Sequence, residues 1–93
     1  MKRLLLPSTA FVRSSRRFTR KRPQLASQLQ LTLELLAADA FYPPLKTHKL
    51  KGKLANSWAC SADYDLRIVF QFMKNRGQDA IPHEGIGTHD EVY

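Results

Sequence analysis

Leu66-Arg67-Ile68-Val69-Phe70-Gln71-Phe72-Met73 is the stretch with the strongest structural signal in this sequence. Its even-numbered members are large and apolar, whereas its odd-numbered members include Arg67 and Gln71. Successive side chains of a strand point to opposite faces, so this alternation predicts a strand with one buried face. We expect it to be the central strand of a sheet.

The flanking segments predict two more strands. Residues 56–62 precede the central strand across a turn at residues 63–65, and residues 75–79 form a second turn. Residues 80–87 then return as a third strand, although Pro82 and Gly85 interrupt the apolar pattern and Pro82 removes a donor from the ladder. His83 is expected on the strand surface. The result is an antiparallel meander.

The first half of the chain has a helical period instead. Residues 2–6 form a short edge strand that Pro7 ends, and Ser8 or Thr9 then caps a helix that runs to about Arg20. Pro23 suits the first turn of a second helix, which ends near residue 38 or 39. The leucines of this helix recur at three- and four-residue spacings, at Leu25, Leu29, Leu33 and Leu36.

Residues 41–53 are expected to be a loop, because Pro43 and Pro44 cannot continue a helix. The predicted fold class is therefore α+β. A short N-terminal strand and an αα-hairpin pack on one face of a three- or four-stranded, mainly antiparallel sheet. Residues 1–93 form a single domain, and the other face of the sheet stays partly open as a binding surface.

Composition narrows the class of protein. The chain has 93 residues and one cysteine, Cys60, which excludes a disulfide framework and a cysteine-rich zinc site. Cys60 is expected to be a small buried side chain. No apolar run reaches the ~18–20 residues that span a membrane. We therefore expect a soluble, cytoplasmic protein. We also expect no metal and no cofactor, because the sequence has no phosphate-binding glycine loop and no metal-ligand motif.

The charge is strongly asymmetric. The net charge is +7, and residues 1–53 hold twelve Lys or Arg against two acids, whereas the remaining residues are net acidic. Such a field attracts polyanions, and nucleic acid is the commonest one. An acidic protein partner, a solvated face without a ligand, and a mitochondrial transit peptide in the first twenty residues are alternatives.

Two basic clusters are the candidate RNA-binding residues. The first is one face of the first predicted helix, and the second lies in the predicted loop. Their members are Arg13, Arg16, Arg17 and Arg20, and Lys46, Lys49, Lys51 and Lys53.

RNA can be cleaved without a metal by one set of side chains. A base takes the proton of the 2′-OH, an acid protonates the 5′-oxygen, and cations stabilise the charge on the phosphorus. His48, Arg67 and His89, with Tyr93, offer these groups if their side chains share a sheet face. Spacing alone does not establish this convergence.

Three segments resemble a known superfamily. Residues 45–52 resemble the H-x-L-x-G segment of the RelE/YafQ superfamily of bacterial toxins, and residues 58–72 resemble its central hairpin. Residues 87–93, Gly-Thr-His-Asp-Glu-Val-Tyr, match the closing G-T-H-x-x-x-[FY] motif of its YafQ-like branch.

The resemblance implies a fold of the microbial RNase kind. It implies the toxin half of a type II toxin–antitoxin pair, which cleaves ribosome-bound mRNA without a metal and is neutralised by an acidic, partly disordered antitoxin. It also implies site residues. By motif position, His48 and His89 are the proton-transfer histidines, Asp65 is a catalytic-site acid, Arg67 contacts the scissile phosphate and Tyr93 stacks near the reacting nucleotide.

Two positions depart from the YafQ-like pattern. Ser61 stands where that branch has a further histidine, and Gly85 stands where it has an arginine. A catalytically attenuated, basic RNA-binding homologue is therefore one alternative. Another is a ParE-like toxin that inhibits DNA gyrase, although such toxins generally lack the histidine set that His48 and His89 represent.

Overall fold

The fold is that of a computed structural model of the chain, which describes residues 2–52, 56–63, 65–88 and 92. The helices and strands are β1 (Leu4–Pro7), α1 (Thr9–Lys21), α2 (Leu25–Ala38), β2 (His48–Lys49), β3 (Trp58–Asp63), β4 (Leu66–Phe70), β5 (Met73–Asn75) and β6 (Gln78–Thr88). The strands form one sheet in the order β1-β6-β4-β3-β2, with β5 also paired to β6. Only the β1–β6 pairing is parallel among these strands. The α+β prediction is confirmed, with more strands than expected.

Both helices cover the same face of the sheet. Phe11 of α1 and Leu36 of α2 share one buried cluster with Cys60, Ile68 and Phe70 of the sheet. Burial of such side chains contributes about 1.5–3 kcal/mol each to the free energy of folding. The predicted αα-hairpin on one sheet face is therefore correct.

The start of α1 is capped as predicted. The Ser8 hydroxyl oxygen accepts a hydrogen bond from the Phe11 N–H at 3.0 Å. The same hydroxyl donates to the carbonyl of Glu84 at 3.2 Å, and the Ser8 N–H donates to the carbonyl of His83. Ser8 therefore lies between the edge strand and the helix, caps the helix and hydrogen-bonds this junction to β6.

The prediction of one strand over residues 66–73 is wrong. β4 ends at Phe70, and Met73 begins β5. The break lies opposite Pro82, because Phe70 pairs with His83 whereas Met73 pairs with Ala80. Pro82 has no N–H to donate, and its carbonyl accepts a hydrogen bond from the Gln71 N–H instead. The predicted third strand is confirmed and is longer than expected, because its proline lies where the neighbouring ladder is interrupted.

His83 is a core residue, which corrects its expected place on the strand surface. It is 1% exposed, and its ring centroid lies 4.8 Å from that of Phe11. Neither ring nitrogen has a hydrogen-bond partner among the described residues. Burial lowers the pKa of His83 to about 4, so the ring is neutral at pH 7.

The described part of the predicted loop, residues 41–52, is only partly a loop. Pro43–Leu45 form a turn of 3-10 helix, and the two residues of β2 pair with β3. None of the described helices is long and apolar enough to cross a membrane.

Candidate active site

We name the sheet surface away from the helices the distal face. Directly paired residues of antiparallel strands place their side chains on the same face. His48 pairs with Ala59, and Ala59 pairs with Val69. Two residues further along β3 and β4, Ser61 pairs with Arg67. These five side chains therefore share the distal face, and the alternate residues of β3 and β4 point into the core.

His48 is an exposed histidine with a defined tautomer. Its Nδ1 lies 2.8 Å from the backbone oxygen of Lys46. Because a carbonyl only accepts hydrogen bonds, Nδ1 carries the proton in this contact, and the lone pair of the neutral ring is on Nε2. The contact forms where Lys46 ends the 3-10 turn in the left-handed conformation, with a φ of 52°.

Arg67 is a half-buried cation that the β3–β4 hairpin orients. Its Nη1 donates to the carbonyls of Asp63 and Leu66, at 3.0 and 3.2 Å. The Asp63 carboxylate pairs with Arg22, 3.2 Å away. Two strand spacings and one two-residue step separate the His48 and Arg67 Cα atoms, a distance of roughly 12 Å. Long side chains at that separation can contact opposite ends of one nucleotide.

Val92 lies on the distal face. Leu50, Ala59 and Val69 form a small buried cluster there, and Val92 packs against it. His89, Tyr93 and Lys53 lie outside the described residues, so their roles stay predictions. Val92 itself packs against Ala59 and Val69, the row of residues that continues from His48.

The remaining predicted residues do not form one site. Asp65 is exposed in the turn between β3 and β4, next to the strand of Arg67. Lys46, Lys49 and Lys51 are exposed around His48. The four arginines of α1, in contrast, line a groove of about 390 Å³ on the helix layer. That groove lies on the other side of the sheet from His48 and Arg67.

The described residues contain no group of three histidine, cysteine or acidic side chains that could hold a metal ion. Cys60 is buried under the helices, and burial raises the pKa of its thiol to about 12. A thiol with that pKa stays protonated at pH 7 and has little nucleophilic character. Its expected role as a small buried side chain is consistent with this position.

The structure reveals one polar cluster that the sequence did not predict. The Glu84 Oε1 accepts hydrogen bonds from the Ser57 hydroxyl at 2.8 Å and from the Gln71 amide at 2.5 Å. These residues belong to three different strands or strand ends, so no local pattern links them. The one signal in the sequence is a carboxylate inside a segment that otherwise continues a strand.

Comparison with known proteins gives matches at the level of structure. No protein-family model and no curated protein matches the chain. A chain of the E. coli DinJ–YafQ toxin–antitoxin complex superposes with a TM-score of 0.75 at 18% identity, covering 100% of this chain and 99% of that one. A YoeB/ParE toxin from Agrobacterium tumefaciens gives 0.76 at 14% identity, covering 92% and 98%.

A metal-bound toxin from Helicobacter pylori superposes with a TM-score of 0.77 at 24% identity over the full length of both chains. Each of the three alignments covers nearly the whole of both chains, so the likeness includes the helices as well as the sheet. At these identities the likeness establishes the fold. The chain therefore has the RelE/YafQ-type toxin fold, as its sequence resemblance predicted.

Proposed function

We propose that this chain is the toxin of a type II toxin–antitoxin pair and an endoribonuclease that cleaves mRNA without a metal. The toxin fold supports the first part. The observation that carries the second is the shared placement of His48 and Arg67 on the distal face. An exposed imidazole and an oriented guanidinium on one surface are the groups that phosphodiester transfer uses.

In this proposal His48 is the base, which its Nδ1 contact with the Lys46 carbonyl supports. In the neutral ring the lone pair on Nε2 takes the proton of the ribose 2′-OH, and the 2′-oxygen then bonds to phosphorus. Arg67 stabilises the charge that develops on the phosphoryl oxygens. His89 donates a proton to the departing 5′-oxygen. The products are a 2′,3′-cyclic phosphate and a 5′-hydroxyl, and no external reactant is consumed.

Other groups assist in this proposal. Tyr93 stacks on a base next to the reacting bond, and Asp65 holds a cationic catalytic group by its negative charge. The exposed lysines Lys46, Lys49 and Lys51 attract the RNA backbone, as does Lys53.

The charge of the chain and its structural neighbours support the proposed partners. A chain with a net charge of +7 suits an acidic, partly disordered antitoxin in the cytoplasm, and a solved neighbour is part of a toxin–antitoxin complex. The RNA substrate is mRNA on the ribosome, whose own RNA would meet the arginine face of α1.

Induced expression in bacteria tests this function. Wild-type chain should arrest growth and cut ribosome-bound mRNA, and His89→Ala should lose both effects. Lys74→Ala, an exposed change in β5, is the matched control and should behave as wild type. Equal cleavage by wild type and His89→Ala would contradict the assignment.

A ParE-like toxin is the second candidate, because one structural neighbour is a YoeB/ParE toxin. Inhibition of DNA supercoiling by purified chain, without RNA cleavage, would favour it. A basic RNA-binding protein without nuclease activity would show neither effect.

A further inference from the structure

Glu84 occupies an unusual place in β6. Phe70 pairs with His83 and Val69 pairs with Gly85, so Glu84 is an extra residue that has no partner in β4. This is a β-bulge. Without it, Glu84 would pair with Phe70, and the alternation of the strand would direct its carboxylate into the apolar core.

The bulge instead brings Glu84 onto the distal face. Its contacts show this. Ser57 comes one position before a core-facing residue of β3, and Gln71 comes one position after a core-facing residue of β4, so both point to the distal face. The Glu84 carboxylate contacts both of them. The backbone of the bulge is held as well, since the Ser8 hydroxyl donates to the Glu84 carbonyl. Three hydrogen bonds from three parts of the chain therefore fix this one residue.

The carboxylate is held but not neutralised. Both side-chain donors are uncharged, both bonds go to Oε1, and no ion pair to Glu84 is found among the described residues. Oε2 of a half-buried carboxylate retains its capacity to accept hydrogen bonds. A fixed negative group of this kind on a chain with a net charge of +7 repels phosphate and favours a ligand that donates hydrogen bonds.

The residue after Glu84 has no side chain, and the space beside it is unfilled. Gly85 pairs with Val69 and so faces the same side, and a Cβ added to Gly85 would meet no heavy atom within 4 Å. Its φ does not require glycine. Packing and backbone geometry thus leave space for a side chain at Gly85, the residue next to Glu84.

We propose that Glu84 recognises an RNA base through its exocyclic amino group, at a nucleotide next to the scissile bond. This inference rests on the proposed ribonuclease function. The register places Glu84 beside the Val69–Phe70 end of β4, with its Cα roughly 10 Å from that of Arg67. Its carboxylate is held by Ser57 and Gln71, at the end of β4 away from Arg67, which suits contact with a base next to the scissile bond.

The chemistry defines the preference. Adenine and cytosine present an exocyclic amino donor on the pairing edge, as does guanine, whereas uracil presents the O4 acceptor at the corresponding position and can donate to the carboxylate only through its N3–H. The chain should therefore bind and cleave adenine- and cytosine-containing RNA in preference to uridine-containing RNA.

The test uses the full-length chain and twelve-residue homopolymers of A, C and U. Both the Kd and the cleavage rate are measured for wild type and Glu84→Gln. The amide oxygen of the substituted side chain can still accept from Ser57 and Gln71, so the fold is retained, and its NH₂ group can donate to uracil. We expect wild type to prefer A and C over U by about tenfold, and Glu84→Gln to lose that preference.

Asp79→Asn is the matched control. It removes the same charge from the same strand, but the Asp79 carboxylate is exposed and pairs with Lys74 instead of facing the distal face. It should raise affinity for all three homopolymers about equally and leave their ratio unchanged. Gly85→Val, which fills the space beside Glu84, should weaken binding of all three.

The outcomes separate the two proposals. Absence of cleavage by wild type would overturn the ribonuclease function, while the ratio of Kd values still decides the role of Glu84. An unchanged A-to-U ratio in folded Glu84→Gln would overturn the base recognition and leave Glu84 as a structural residue. If Glu84→Gln fails to fold, Ser57→Ala, which frees the carboxylate from one donor, must alter the ratio for the inference to stand.

Discussion

His48 and His83 lie on opposite faces of the same sheet and differ in exposure and in hydrogen bonding. His48 is exposed, and its Nδ1 is hydrogen-bonded to a backbone carbonyl. His83 is 1% exposed against the ring of Phe11, and neither of its nitrogens has a partner among the described residues. The face with the helices buries even a polar ring for packing, whereas the distal face keeps a polar ring accessible.

This difference indicates that the two faces of the sheet have different roles. The helix face contains the large buried side chains Phe70, Ile68 and Ile81, and its polar exception is neutral. The distal face has only a small apolar cluster and holds its polar groups by hydrogen bonds from the backbone and from neighbouring strands. Substitutions on the first face should change stability, and substitutions on the second should change activity.

The largest expected effect is on catalysis. His48→Ala should lower the rate of RNA cleavage by about 10²–10⁴-fold, because the variant has no proton acceptor at this position. The free energy of unfolding should change by less than about 0.5 kcal/mol, since the side chain is exposed. Single-turnover cleavage and urea unfolding measure the two quantities. A folded His48→Ala chain with wild-type cleavage would contradict the division between the faces.

Two neighbours in β4 compare the faces by stability. Phe70 is fully buried under the helices, and Phe70→Ala should cost about 3–5 kcal/mol. Val69 points to the distal face, and Val69→Ala should cost about 1.5 kcal/mol because two methyl groups are removed. Urea midpoints of the two variants give the ratio. Equal losses would mean that the distal face is as much a core as the helix face.

His83 should make the fold sensitive to acid. Its pKa in the folded chain is about 4, below the ordinary value of 6.5, so the unfolded chain binds the extra proton first as the pH falls. The free energy of unfolding should therefore be at its full value above pH 6.5 and fall by up to about 3 kcal/mol toward pH 4. His83→Leu should remove this part of the dependence. Parallel stability curves for the two proteins between pH 7 and 4 would show that the ring is not desolvated.

The smallest expected effect separates the two basic clusters. Arg13→Gln with Arg16→Gln should leave the cleavage of a short oligonucleotide within about twofold, because α1 lies across the sheet from His48. Lys49→Gln with Lys51→Gln should instead weaken the salt dependence of RNA binding. The slope of the logarithm of the binding constant against the logarithm of the salt concentration should fall by about one unit for each phosphate that a lysine neutralises in the wild type. Binding titrations over a series of salt concentrations measure the slopes. The reverse pattern would place the RNA on the helix layer.

Local chemistry predicted much of this fold. The Ser8 cap, the leucine period of α2 and the alternation in β4 depend on neighbouring residues in the chain, and each is present in the structure. The break after Phe70 and the burial of His83 depend on which residues of β6 lie opposite β4. The register of β6 against β4 is set by contacts between distant segments, so the periodicity of neighbouring residues does not predict it.

The candidate site follows the same rule. Residue type and motif position predict His48 and Arg67, and their common face follows from register. Glu84 was missed, because a one-residue bulge determines which face receives its carboxylate. The tautomer of His48 was also unpredictable, since it depends on the carbonyl of Lys46 in the left-handed turn.

The ends of the RNA products test the central claim most directly. Purified chain should be incubated with a short RNA in the presence of EDTA, and the fragments should be analysed by mass spectrometry. Attack by the 2′-oxygen predicts 2′,3′-cyclic phosphate and 5′-hydroxyl ends, and a single 2′-deoxy substitution at the cut site should block cleavage there. Intact RNA, or 5′-phosphate ends that persist in His48→Ala, would contradict catalysis on the distal face.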